Sequence, residues 1–254
     1  MSAAAHRNPP AAGSAAAAVA WHDCECGRYA ADIGVWARLA ADSRGPVLDL
    51  GAGTGRVSLP LAGAGHEVTA VDRDERLLDE LARRAGRGSG RVAVHRADAR
   101  ELDLDRRFAL AIAPMQLVQL AGGAGGRAAL LRSVTRHLEP GGRFAAALLA
   151  GQPASGDDER PPVPDVLERD GWIYSSLPLD VRELTGALEI RRLRQAVSPT
   201  GELSEAVDLA RLDLLDPGRF EAEAEAAGLD RADRIPVPAT ADHVGSTVVV
   251  LERR

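Results

Sequence analysis

Lysine is absent from this chain of 254 residues, so all 31 basic side chains other than histidine are arginines. That excludes Schiff-base chemistry on a lysine, including the usual anchor of pyridoxal phosphate, and the lysine of a phosphate-binding P-loop. Aromatic residues make up only 3% of the chain, so alanine, leucine and valine must fill the core. Cys24 and Cys26 cannot supply four zinc ligands, and no metal site is expected. A disulfide across one intervening residue would be strained, which points to reduced thiols and a cytoplasmic protein. No run of about 20 apolar residues exists, so no membrane span is expected. The basic clusters Arg83-Arg84, Arg106-Arg107 and Arg191-Arg192 are short pairs in a chain of net charge −6. They read as solvated faces rather than a nucleic-acid track, and no nucleic-acid partner is expected. The arginine and alanine bias fits a high-GC genome.

What is present is a strand that turns on glycines. Val47-Leu-Asp-Leu50 is an apolar run, followed by glycines at 51, 53 and 55 and a helix-like stretch from Arg56. A strand entering a helix through glycines brings backbone N–H groups and the positive helix end close to a ligand. A dinucleotide fingerprint needs a third glycine at position 56, which is Arg56. The pattern is instead Asp49-x-Gly51-x-Gly53-x-Gly55. A carboxylate before the first glycine suits a cationic ligand better than a pyrophosphate. Its alternative role is to cap the turn through backbone N–H groups.

Four further segments follow in order. Val68-Thr-Ala-Val-Asp72 ends in an acid 21 residues past Gly51, placed to accept ribose hydroxyls. Val92 to Asp98 reads as a third strand, and Phe108 to Pro114 as a fourth. His137-Leu-Glu-Pro-Gly-Gly-Arg-Phe144 reads as the turn into a fifth. With these segments the chain resembles the class I S-adenosylmethionine-dependent methyltransferases, over roughly residues 29–150.

The resemblance implies S-adenosylmethionine as cofactor. It implies a set of binding residues: Asp49, Gly51, Ala52, Gly53, Gly55 and Arg56 around the glycine turn, then Asp72, Arg73, Asp98 and Ala99. Pro114 and Met115 stand where the family places its reaction centre. Asp98 matches the family's adenine-binding acid. Tyr29 is either a lid residue over the cofactor or part of the core. Ala109 stands where the family commonly has an acid.

The expected fold is a Rossmann-like, doubly wound, mostly parallel seven-stranded sheet with an inserted antiparallel β subdomain. Residues 1–20 read as an Ala/Pro-rich tail without fixed structure, and 21–150 as an N-terminal lid helix and cofactor core. Residues 151–215 read as a linker, to 165, and an inserted sheet of three strands, with a hairpin turn at Ser198-Pro-Thr-Gly201. Residues 216–254 return a helix and the last core strands, one of them an antiparallel edge strand. Cys24 to Ala41 reads as one helix with Tyr29, Ile33, Trp36 and Ala40 on its apolar face. Ala121 to Gly126 reads as a flexible connection before a helix.

The expected reaction is methyl transfer to nitrogen or oxygen of a small molecule of secondary-metabolite type. No Asn/Asp-Pro-Pro-Tyr motif follows the fourth strand, where Ala113-Pro-Met-Gln116 stands, and no Pro-Cys nucleophile does. The alternative is a protein of the same fold that binds the cofactor without transferring methyl, as a cyclase or regulatory subunit. Gln116, His22 and His243 are the candidate catalytic residues. Gln119 faces either substrate or solvent. Trp172 and Tyr174 either wall an acceptor or pack as core. His66, His95 and His137 read as structural. A monomer and a homodimer through the inserted sheet both remain open.

Overall fold

The computed structural model describes residues 14–86, 91–149, 162–240 and 243–254. In chain order the elements begin with α1 (Ala15–Cys26), α2 (Ile33–Asp42), β1 (Val47–Leu50), α3 (Ser58–Gly63), β2 (Val68–Asp72), α4 (Glu75–Ala85) and β3 (Val92–Arg96). β4 (Phe108–Ala113), α5 (Gly123–His137) and β5 (Leu138–Leu149) complete the first half. Then come β6 (Asp165–Arg169), β7 (Trp172–Leu184), β8 (Ala187–Val197), β9 (Leu203–Asp213), α6 (Pro217–Glu225), β10 (Leu229–Val237) and β11 (Ser246–Arg253).

One sheet has seven strands in the order β10-β11-β5-β4-β1-β2-β3. Strands β1 to β5 pair in parallel, and all four residues of β1 are buried, as a strand covered on both faces requires. One face packs Phe108, Phe144 and Phe220 with Leu130 and Leu131; the other packs Trp36, Leu61, Ile112 and Val248. Local signals support the helices. Asp74 caps α4 by accepting from the Arg76 N–H, three leucines of α4 are buried, and Arg83 and Arg84 sit at its negative end.

The second sheet is antiparallel, β6-β7-β8-β9. Helix α1 lies on one of its faces, where Ala20 and Cys24 pack with Trp172, Tyr174 and Ala196. Trp21 meets the Tyr174 ring edge-on at 5.1 Å. Trp172 and Tyr174 are therefore core. Both cysteines are free.

Five expectations need correction. Residues 14–20 of the expected tail are structured: Ser14 caps α1, and Ala17, Val19 and Ala20 are buried. Residues 1–13 lie outside the described residues, as do 150–161 of the linker. The single helix over 24–41 is two, interrupted at Gly27. The inserted sheet has four strands rather than three, because Asp165–Arg169 adds a strand paired with β7. The antiparallel strand β11 is not an edge; it lies between β5 and β10. Gly123, Gly125 and Gly126 belong to α5 rather than to a loop, and a side chain at 126 would strike the Ala121 carbonyl.

Candidate functional site

The carboxyl ends of β1, β2, β3 and β4 and the start of β11 form one rim. In open α/β sheets ligands bind at this end. Gly51, Gly53 and Gly55 all have positive φ, of 66°, 53° and 95°. Two of them are also crowded: a Cβ at Gly53 would overlap the His22 imidazole, and one at Gly55 the Leu81 side chain. Only glycine meets both demands. The Gly53 N–H donates to Asp72 Oδ2 at 2.9 Å, and the Asp74 N–H donates to Oδ1 at 2.9 Å. The acid at the end of β2 thus holds the glycine turn and keeps further lone pairs on each oxygen.

Asp49 is buried within β1. Its Oδ2 accepts from the Ser58 hydroxyl at 2.6 Å, while Oδ1 is buried without a partner. Burial pushes its carboxyl up to about 7, against the Ser58 hydrogen bond and the Arg56 charge. It does not cap the turn. Asp98 accepts from the Arg100 N–H and guanidinium and caps the short turn Ala99–Glu101. The Arg100 hydrogen bond holds its carboxyl below the ordinary value, with Arg73 adding a smaller pull.

At the end of β4, Pro114 is buried, and Met115 and Gln116 are two consecutive non-glycine residues with positive φ, 52° and 58°. Such strain persists only where the surroundings impose it, and it gathers at functional positions. Gln119, by contrast, is buried and structural. Its Nε2 donates to the Asp213 carbonyl at 3.0 Å, and its Oε1 accepts from the Leu149 N–H at 2.7 Å. His137 is structural as expected, accepting from the Leu104 N–H through Nε2.

Helix α1 closes over the glycine turn. His22 Nδ1 lies 3.2 Å from the Thr54 hydroxyl, which donates to Asp23 at 2.7 Å. Arg84 and Arg169 also donate to Asp23, and both reach Glu80. Burial alone would raise the Asp23 carboxyl, but His22, Arg84 and Thr54 together hold it well below the usual range.

Arg56 is not free to meet a ligand. It donates bidentately to the buried Asp32 at 2.6 and 2.9 Å, and to the Tyr29 carbonyl at 2.9 Å. Trp36 Nε1 donates to the same Asp32 at 2.8 Å. The Arg56 guanidinium lies 5.2 Å from the Tyr29 ring centroid. That ring stacks, tilted, 4.8 Å from the His243 ring. His22, Thr54, Tyr29 and His243 thus stand around the carboxyl end of the sheet, on α1, the glycine turn, the connection from α1 to α2 and the approach to β11.

Sequence reasoning missed Asp23, Asp32 and Thr54. Only the i, i+4 spacing of Asp32 and Trp36 carried a local signal. A groove of about 720 Å³ lined by Asp103, Asp105, Arg107 and Arg136 opens at the amino end of β4, opposite this rim.

Residues 47–142 match the family model described as a methyltransferase domain. Over most of its length the chain has the class I methyltransferase fold. It is similar to the sugar N-methyltransferase KedS8 from a Streptoalloteichus species, at 20% identity and TM-score 0.71, covering 90% of each chain. It is similar also to the glycopeptide N-methyltransferase MtfA complexed with S-adenosylhomocysteine, at 25% identity and TM-score 0.60, covering 87% of each. A shorter match, 42% identical over 72 residues, is to a 23S rRNA (uracil-C5)-methyltransferase of Halomonas elongata, covering 28% of this chain and 15% of that one. The chain spans only 15% to 26% of the length of the curated relatives it matches. No helix among the described residues is long and apolar enough to cross a membrane.

Proposed function

Taking residues 47–142 as a methyltransferase domain of class I fold, we propose that the protein transfers the methyl group of S-adenosylmethionine to a nitrogen or oxygen of a small molecule. One observation carries the reading. A buried acid with an unpartnered oxygen, Asp49, stands directly behind a glycine turn, and a second acid, Asp72, holds that turn from the next strand. A ligand with ammonium and sulfonium groups and a ribose diol complements this pair, its positive charge favouring the ionised form of Asp49.

The cofactor, when bound, supplies an electrophilic methyl group on a sulfonium that leaves as a neutral thioether. Gly51, Ala52 and Gly53 let the backbone approach it closely. Asp72 accepts the ribose hydroxyls with the lone pairs its two backbone bonds leave free. Asp98 and Ala99, with Arg73 beside them, take the adenine end. Arg56 acts indirectly, fixing Tyr29 and Asp32 so that Tyr29 forms part of the wall. His22 and α1 cover the glycine turn and exclude water. Met115 and Gln116 turn out of β4 and aim the Gln116 amide at the acceptor. His243 takes the proton that the acceptor loses as its new bond to carbon forms. Holding the acceptor in line and desolvated accounts for most of the rate.

A small acceptor, rather than nucleic acid, is supported by the net charge of −6. It is supported also by a likeness to sugar and glycopeptide N-methyltransferases along nearly the whole chain, against 28% of it for the rRNA enzymes. The test is turnover of S-adenosylmethionine with amino sugars and glycopeptides, following release of S-adenosylhomocysteine. Release that requires an acceptor supports transfer. Tight cofactor binding with no release across amine and hydroxyl acceptors favours a role without methyl transfer.

A further inference from the structure

Helix α1 brings the imidazole of His22 against Gly53 and the carboxylate of Asp23 against Thr54. The Thr54 hydroxyl has one proton, and Asp23 Oδ1 takes it at 2.7 Å. Arg84 and Arg169 also donate to Asp23, which keeps that carboxylate an acceptor. Thr54 Oγ1 therefore meets His22 Nδ1, 3.2 Å away, as an acceptor, and Nδ1 is the ring nitrogen that carries hydrogen. In the neutral ring this order assigns the lone pair to Nε2. Nε2 is also the ring atom nearest the place a Cβ on Gly53 would take. Among the described residues no group donates to it, and the His22 side chain is 23% exposed.

The glycine turn has little left to give a ligand as a donor. The Ala52 N–H donates to the Val71 carbonyl, that of Gly53 to Asp72, and that of Gly55 to the Ala52 carbonyl. Two open acceptors flank the turn instead: Asp49 Oδ1 behind it and His22 Nε2 on its α1 side. We propose that His22 Nε2 accepts a hydrogen bond from the ammonium group of the cofactor. This rests on the cofactor reading given above and adds a binding residue to it. An ammonium has three N–H donors to place. Asp49 supplies the opposite charge, and His22 a neutral, directional acceptor. A carboxylate at the same place would face the lone pair and be repelled. The crowding at Gly53 has the same meaning, because a side chain there would push the ring off the ligand. His22 is then a cofactor residue, and the acceptor's proton stays with His243.

Calorimetry on the full chain tests this with three ligands: S-adenosylhomocysteine, its analogue without the amino group, and its analogue without the carboxyl group. Far-UV circular dichroism checks the fold of each variant. His22→Ala is expected to cut the preference for S-adenosylhomocysteine over the desamino analogue about tenfold, the size of a hydrogen bond to a charged group. Its preference over the decarboxylated analogue should not change. His22→Gln, which returns a carbonyl oxygen near the Nε2 position, should recover most of the loss. Thr54→Val, which frees the tautomer, should give a smaller loss with the same pattern. A desamino preference untouched by His22→Ala overturns the proposal and leaves His22 as a cover over the turn. A loss that appears only against the decarboxylated analogue overturns it too, since Nε2 would then be a donor to the carboxylate. A wild type that binds none of the three overturns the cofactor reading, and this proposal with it.

Discussion

The carboxylate of Asp49 touches one partner, the hydroxyl of Ser58 at 2.6 Å, and its other oxygen has none. A buried carboxyl in that state is raised, here to about 7, against an ordinary value of about 3.9. Between those two values the folded protein holds a proton that the unfolded chain has released. Without ligand, stability therefore falls as pH rises from about 4 to about 7, and the Asp49 contribution levels off above that. Asp49→Asn, which cannot ionise, should flatten this part of the melting-temperature profile. An unaltered profile would mean that Asp49 is ionised throughout.

The same group links pH to the cofactor. A cation beside Asp49 favours its ionised form, so affinity for S-adenosylmethionine should rise with pH up to about 7 and then level off. Calorimetry in buffers of different ionisation enthalpy should show proton release below that pH. The release should vanish in Asp49→Asn.

Gly53 is held by crowding as well as by its φ of 53°. Gly53→Ala should cost about 1–2 kcal/mol from backbone alone, with more from the overlap with His22. His22→Ala in the same chain should recover the second part but not the first. A double-mutant cycle in denaturant unfolding reads the difference, and additive costs would show that His22 does not press on the glycine.

Gln119 bridges the end of β9 and the end of β5. Gln119→Leu strands a buried carbonyl and N–H and should destabilise the protein by about 2–4 kcal/mol. Kinetic constants of the folded fraction should change little. A large loss of kcat at unchanged stability would instead return Gln119 to the acceptor site.

His243→Asn should lower kcat by about 100-fold for an acceptor that must lose its proton in the rate-limiting step, leaving cofactor affinity unchanged. If kcat is unmoved, the proton leaves to water.

Much of the cofactor end was legible because each parallel strand announces itself twice. β1 is a continuous apolar run closed by glycines, and β2 an apolar run closed by Asp72. What was illegible depends on tertiary partners. Residues 15–20 are mostly alanine, with no periodic contrast, and α1 is held by the inserted sheet, which packs on Ala20 and Cys24. β6, with alternating polar and apolar residues, gained its identity from pairing with β7. Arg56 read as a ligand contact from its place beside Gly55. Its partner Asp32 lies 24 residues upstream, and no local pattern joins the two. Gln119 likewise became structural only once β9 and β5 met beside it.

The central claim is that the glycine turn and its two acids hold a cationic, ribose-bearing cofactor. Calorimetric titration of the purified chain with S-adenosylmethionine, S-adenosylhomocysteine and NAD tests it most directly, with Asp72→Ala alongside. Micromolar binding of the first two, no heat from NAD, and sharply weakened binding in Asp72→Ala are the predicted results. NAD binding alone, or full S-adenosylmethionine affinity in Asp72→Ala, would contradict the account.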